Sequence, residues 1–298
     1  MLALGTSRTL LKALGAARTV WFGTSLLGTR PLVNALEAAA ERGARVHVRL
    51  ERRPYARDPA EAQAMAGENV ATVRELRRHG VDARLSPLRG PSQHAKLALV
   101  DGTAFFDDRN WPVRGDTILV TNAPRDVARV RAVFAGRHDP GAGRLALRKD
   151  EALTLEASVA RRAHGDLCVE TESVGRCGVV DALLARARSG GRVRAIVGER
   201  DIYQGSAGRL NPAVRALGAA GVEVRVAAAP GKLCAGDDLA WVGSANATRQ
   251  RGESSDWGVR TGSRNLVSAL RDRFERAWSA ASPVPAAVAS QSVLSDRR

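Results

Sequence analysis

Lysine is scarce in this chain of 298 residues. Lys12, Lys96, Lys149 and Lys232 are the only four, and every other basic residue among the 46 is arginine. An ammonium is a compact point charge and a guanidinium a planar fork. A position that keeps lysine against such a bias is therefore one where the fork does not serve. Cysteine is scarce as well. Cys168, Cys177 and Cys234 form no C-x-x-C pair and have no histidines at metal-ligand spacing. Their odd number argues against a disulfide framework. No apolar run reaches the roughly 18 residues that a membrane span requires. No basic stripe is interleaved with aromatics of the kind that stacks bases. The amino-terminal stretch MLALGTSRTLLKALGAARTVWFG faintly resembles a signal peptide, but the repeat described next accounts for it as folded structure. The expected compartment is the cytoplasm, with a peripheral place on a membrane left open.

The apolar fraction of 44% is that of a globular protein, and the length suits one large or two smaller domains. The net charge is +15. Such a balance favours anionic partners: nucleic acid, anionic lipid or phosphate esters. The basic residues are spread along the whole chain, so a solvated arginine-rich surface accounts for the charge equally well.

The two halves read alike. A helical stretch and the strand Thr19–Thr24 are matched by helix Ser158–Ala163 and strand Leu167–Glu172. NALEAAAERGARVHVRLE from Asn34 is matched by DALLARARSGGRVRAIVGE from Asp181: an amphipathic helix, a glycine stop and an alternating strand. VRELRRHGVDARL from Val73 is matched by VRALGAAGVEVRV from Val214, with Gly80 and Gly221 where helix C-terminal caps belong. Alternation of helix and strand predicts α/β halves with a largely parallel or mixed sheet. The segment Arg137–Gly143, with Asp139-Pro140-Gly141, predicts the end of the first half. The expected organisation is residues 1–143, residues 144–282 and a disordered tail over 283–298.

Each half then runs into its most informative stretch: HAKLALVDGTAFFDDRNW from His94, and PGKLCAGDDLAWVGSANAT from Pro230. Aligned on Lys96 and Lys232, the two match without a gap. Asp101 and Asp237 follow five residues on, Asn110 and Asn246 fourteen residues on. Two of the four lysines thus hold equivalent places. Residues two apart in a strand share a face, so His94 and Lys96 project together.

The pattern H-x-K-x4-D followed by G-S-x-N resembles the signature of the phospholipase D superfamily, and the flanking repeat extends the resemblance over nearly the whole chain. The resemblance implies two similar α/β/α sandwich halves related by a pseudo-twofold axis. It implies a phosphodiester hydrolase or phosphatidyltransferase, with a phospholipid or nucleic acid as substrate and no metal or other cofactor. His94 would attack phosphorus and form a phosphohistidine. Lys96 and Lys232, with Asn110, Ser244 and Asn246, would hold the phosphoryl oxygens. Asp101 would orient a histidine ring, and Asp237 holds the equivalent place in the second motif, where the ring it would orient is missing. His47, His79, His138 and His164 lack any such context and read as surface or structural residues.

Two departures stand against this pattern. Pro230 occupies the place of the second histidine, which in the family protonates the leaving group, a service worth about 10²- to 10⁴-fold. Cys234 lies two residues past Lys232 and reads either as a poor substitute acid or as a core thiol; its ordinary pKa is about 8.5. The first half carries Asp107-Asp108-Arg109-Asn110 where G-S-x-N is expected. Those carboxylates either shape a turn or face the phosphate with Arg109 offsetting them. An active enzyme, a nuclease-like member and a phosphate-binding protein without turnover all remain open.

Overall fold

The computed structural model describes residues 2–56, 58–111, 117–137, 143–204, 209–249 and 254–284. The expected junction at 137–143 lies largely outside them, and the expected tail almost wholly so. The chain forms two compact units. Unit 1 comprises Met1–Lys149 together with the return segment 252–257, and unit 2 comprises Asp150–Arg251 with the remainder.

Unit 1 is built on strands β1 (Leu2–Gly5), β2 (Thr19–Thr24), β3 (Arg45–Leu50), β4 (Asp82–Leu85), β5 (Ser92–Gln93), β6 (Lys96–Val100), β7 (Thr103–Asp107), β8 (Ile118–Thr121) and β9 (Leu145–Ala146). Its helices are α1 (Ser7–Gly15), α2 (Arg30–Glu41), α3 (Pro59–Arg78) and α4 (Pro124–Phe134). The main sheet has the order β1-β8-β7-β6-β2-β3-β4. β2, β3 and β4 run parallel, and β6 is antiparallel to β2. Alternation along β2 assigns its two faces. Val20 and Phe22 join Leu10, Leu14, Leu36 and Leu76 in the core beneath α1, α2 and α3. Trp21 points the other way, toward Phe134 of α4, with ring centroids 5.9 Å apart. Both faces are covered, giving the expected α/β/α sandwich. Truncating a side chain as deeply buried as Phe22 would cost about 3–5 kcal/mol.

Unit 2 repeats the plan with α5 (Lys149–Arg162), β10 (Leu167–Thr171), α6 (Gly178–Arg188), β11 (Val193–Gly198), β12 (Tyr203–Gln204), β13 (Arg209–Leu210), α7 (Pro212–Ala219), β14 (Glu223–Ala227), β15 (Leu233–Ala235), β16 (Ala240–Gly243), β17 (Ser254–Ser255), β18 (Gly258–Thr261), α8 (Arg264–Ala280) and β19 (Ser282–Pro283). Of these, β17 belongs to unit 1. The order β19-β14-β11-β10-β15-β16-β18 again sets three parallel strands beside an antiparallel motif strand. Gly80 and Gly221 end α3 and α7 at φ of +79° and +89°, and the next N–H bonds back to Leu76 and Leu217 respectively.

The strand alignment moves by one residue. Gly23 pairs with Leu97 and Glu170 with Leu233, so Gly23, and not Phe22, corresponds to Glu170. Ladder register to the motif strand fixes this, and Thr24 and Thr171 then match: each hydroxyl bonds the carbonyl two residues on.

One buried carboxylate fastens the loops of unit 1. Glu51 accepts from Arg53 N at 2.8 Å, Ser86 Oγ at 3.1 Å and Gln93 N at 2.5 Å. It therefore joins the chain after β3, the chain after β4 and the strand that ends at His94. Glu51→Ala strands three donors and should lower unfolding free energy by about 3 kcal/mol, read from the denaturant midpoint. A loss under about 0.5 kcal/mol would show that the loops hold without it.

Candidate active site

His94 lies between β5 and β6. β6 runs antiparallel to β2, so its beginning sits at the carboxyl end of the parallel strands, with Thr24 and Asn110 at the same edge; Thr24 Oγ1 and Asn110 Oδ1 are 3.5 Å apart. Lys96 opens β6 and is buried, with 3% exposure.

The His94 ring has a carboxylate partner, and it is not Asp101. β17 pairs in parallel with β5, Ser254 opposite Ser92 and Ser255 opposite Gln93. Continuing that register places Asp256 beside His94, and Asp256 Oδ1 lies 2.7 Å from His94 Nδ1. The segment is anchored by Trp257, whose Nε1 donates to the carbonyl of Asp107 at 2.9 Å and whose ring packs 5.3 Å from Phe106. Asp256 is fully buried. Burial alone would push its pKa up. The His94 charge and hydrogen bond, the Lys96 charge and the Ser254 hydroxyl overcome that and hold it well below the usual carboxylate range. An ionised carboxylate only accepts, so Nδ1 must carry a proton, and whenever the ring is neutral its lone pair is on Nε2. The ring side chain is 27% exposed, open to a reactant.

Asp101 is a structural residue. It forms the hairpin turn with Gly102, both at positive φ, between the paired residues Val100 and Thr103. Its carboxylate accepts from Arg18 N and Thr19 N at 3.0 and 2.8 Å, which pins the start of β2. At about 3.3 Å per residue, a strand sets the motif aspartate about 20 Å beyond its histidine, out of reach of the ring.

Asp107 and Asp108 are buried, and each accepts from a backbone N–H further along the chain. Asp107 Oδ2 accepts from Trp111 N, and Asp108 Oδ1 accepts from Thr117 N at 2.9 Å. Arg109 lies 3.8 Å from Asp108. These bonds support turn shaping over a place facing the phosphate.

In unit 2, Lys232 is buried and paired at 3.1 Å with Glu172. Pro230 is buried just ahead of β15. Beneath it, Glu170 accepts from Gly231 N at 2.7 Å and from Arg273 at 2.9 Å. A Cβ on Gly231 would stand 2.3 Å from the Arg273 guanidinium, so the arginine packs closely over this glycine. Ser244 is buried, and Asn246 accepts from Ser173 N at 3.2 Å. Asp237 is exposed and paired with Arg271 at 2.9 Å, while Asp238 takes His164 N at 2.8 Å. Asp237 is therefore a surface residue beyond the end of the motif strand, as Asp101 is. Cys234 lies in the sheet opposite Val169 and Trp241. Burial pushes its thiol well above the ordinary range, so it reads as core and not as an acid.

Asp256 and Asp101 can be separated by experiment. A depressed carboxylate contributes stability above its unfolded pKa of about 3.9 and loses it as pH falls through the folded value. Asp256→Asn should lower stability at pH 7 by about 2 kcal/mol, the partner being partly exposed, with the gap narrowing below about pH 4. Asp101→Asn should cost about 1–2 kcal/mol and leave the environment of the His94 ring unchanged by NMR. A ring that responds to Asp101 and ignores Asp256 would reverse the assignment.

Residues 10–137 match the family model for the cardiolipin synthase, PLD-like domain. No curated protein matches the sequence. Among solved structures, phosphatidylserine synthase from Haemophilus influenzae Rd KW20 is similar over 95% of this chain and 87% of its own, at 9% identity and a TM-score of 0.66. Polyphosphate kinase from Porphyromonas gingivalis is similar over 92% of this chain, at 18% identity and a TM-score of 0.59. The chain spans 49% of that kinase's length. At these identities the likeness is one of fold. The first half thus carries a PLD-like domain, and the chain as a whole shares the fold of these structures.

Proposed function

We propose that the protein is a phosphodiester hydrolase or phosphatidyltransferase working through a phosphohistidine at His94. The observation that carries this reading is the Asp256–His94 pair, whose carboxylate accepts the hydrogen bond from Nδ1 of a partly exposed ring, so that the neutral ring offers its lone pair on Nε2. Nε2 attacks phosphorus, an N–P bond forms, and the P–O bond to the first alcohol breaks. Water or a second alcohol then attacks the phosphohistidine and returns Nε2 to its resting state. Lys96 and Asn110 are the proposed ligands of the phosphoryl oxygens in unit 1. Lys232, Ser244 and Asn246 are proposed as their counterparts in unit 2, where Glu172 must yield Lys232 to the phosphate.

A second reading is a phosphate-binding protein without turnover. Pro230 favours it, since no histidine stands there to protonate the leaving group and Cys234 is sealed in the sheet. The two readings differ in their dependence on the leaving group. A nitrophenolate needs little protonation, whereas an alkoxide needs it fully.

Bis(4-nitrophenyl) phosphate should be hydrolysed, and an unactivated dialkyl diester should be turned over at least about 10²-fold more slowly. His94→Ala should abolish hydrolysis, EDTA should not, and Pro230→His should raise the rate on the unactivated ester. Phosphate or vanadate binding without any turnover of the activated ester would favour the binding protein. Full activity in His94→Ala would sink the mechanism.

A further inference from the structure

Two loops of unit 1, 52–56 and 86–91, leave the sheet at the edge where His94 lies. They follow the carboxyl ends of β3 and β4, and β6 begins at that same edge. Their sequences are RRPYA and SPLRGP. These two stretches carry Arg52, Arg53 and Arg89; the carboxylates of the first connection are Glu51, which is buried, and Asp58, which caps α3. Among the described residues, Tyr55 at 71% and Leu88 at 67% are the two most exposed large apolar side chains. Pro87, Arg89, Gly90, Pro91 and Arg53 are exposed beside them.

The exposure is built in. Arg52 donates to Ser86 from its backbone N–H at 3.0 Å and from Nε at 2.9 Å, stapling the two loops together. Glu51 ties the same pair to Gln93, next to His94. Pro87 and Pro91 restrict φ on either side of Leu88, so the tip has few ways to fold its leucine back. The stapled loops thus hold an aromatic ring and a branched alkyl group in water, with the exposed Arg53 and Arg89 near them in sequence.

We propose that this face docks onto an anionic phospholipid surface. Tyr55 and Leu88 enter the boundary between headgroups and acyl chains, and Arg53 and Arg89 meet lipid phosphates. An apolar tip, an amphipathic ring and adjacent cations are the composition that such a boundary selects. A nucleic acid offers phosphates to the arginines and a base to Tyr55, but no apolar layer to Leu88. The inference rests on the reading of His94 as a phosphodiester site and adds that the ester is presented in a lipid layer. Docking itself does not require turnover.

The test uses the full chain, co-sedimented with vesicles of phosphatidylcholine alone and of equimolar phosphatidylcholine and phosphatidylglycerol. Wild type should bind the anionic vesicles and release them as salt rises. Arg53→Ala with Arg89→Ala should weaken binding by about 25-fold, about fivefold per arginine. Tyr55→Ser with Leu88→Ser should weaken it by about 100-fold. Both double variants should keep wild-type thermal unfolding and wild-type hydrolysis of the soluble nitrophenyl diester. Vesicle binding that is lost in the variants, in a protein that hydrolyses no diester, would uphold docking and sink only the catalytic reading. Wild-type binding indifferent to lipid charge, or double variants that bind like wild type, would overturn it. So would a single-stranded oligonucleotide bound through these four residues by a protein that ignores both vesicles.

Discussion

The hydrogen bond between Asp256 and His94 is the constraint on which the site depends. A fully buried carboxylate is costly to ionise, and this one is ionised because a ring, an ammonium and a hydroxyl surround it. Once ionised it can only accept, and that decides which nitrogen of His94 carries the proton and which the lone pair. The rest of unit 1 serves the same pair. The β5–β17 ribbon sets the register, Trp257 anchors one strand and Glu51 holds the other. The proposed attack on phosphorus would use the lone pair that this tautomer leaves on Nε2.

Unit 2 shows which parts of the plan survive without the motif histidine. The three parallel strands, the antiparallel motif strand, the threonine-closed turn and the buried lysine are all retained. What differs lies around Pro230. Where unit 1 has Gly23 against Phe134 and the Gln93 side chain, unit 2 has Glu170 paired with Arg273 and bonded to Gly231 N. A buried ion pair contributes less to stability than apolar packing of the same volume, yet breaking it is costly. Pro230 has no N–H to donate, and the neighbouring Gly231 supplies the backbone donor that the pair needs. Lys232 is engaged separately by Glu172.

Much of this was legible in the sequence. Periodicity and glycine stops located the paired helices and strands of both halves, because core burial writes a period of 3.6 or 2 into each segment. His94 and Lys96 stood out by spacing and by lysine scarcity. Asp101 was also legible, but it shapes a turn and does not orient the ring. Val-Asp-Gly-Thr at the end of an apolar strand is a hairpin turn, and strand length alone separates it from the histidine. Asp256 was not legible by local pattern, since its partner is 162 residues away and only the β5–β17 pairing joins them. The available signal was indirect: a nucleophilic histidine needs a carboxylate, and Asp256 precedes a tryptophan that a solvated loop would not bury. The single-residue shift at Glu170 was invisible for a similar reason, as register is set by ladder partners and not by resemblance along the chain.

The most direct test of the account is the tautomer of His94, measured from imidazole 15N chemical shifts, with His94 assigned by substitution. The neutral ring should carry its proton on Nδ1 and leave Nε2 unprotonated, and Asp256→Asn should abolish that preference. A ring protonated on Nε2, or one whose tautomer is indifferent to Asp256, would contradict it.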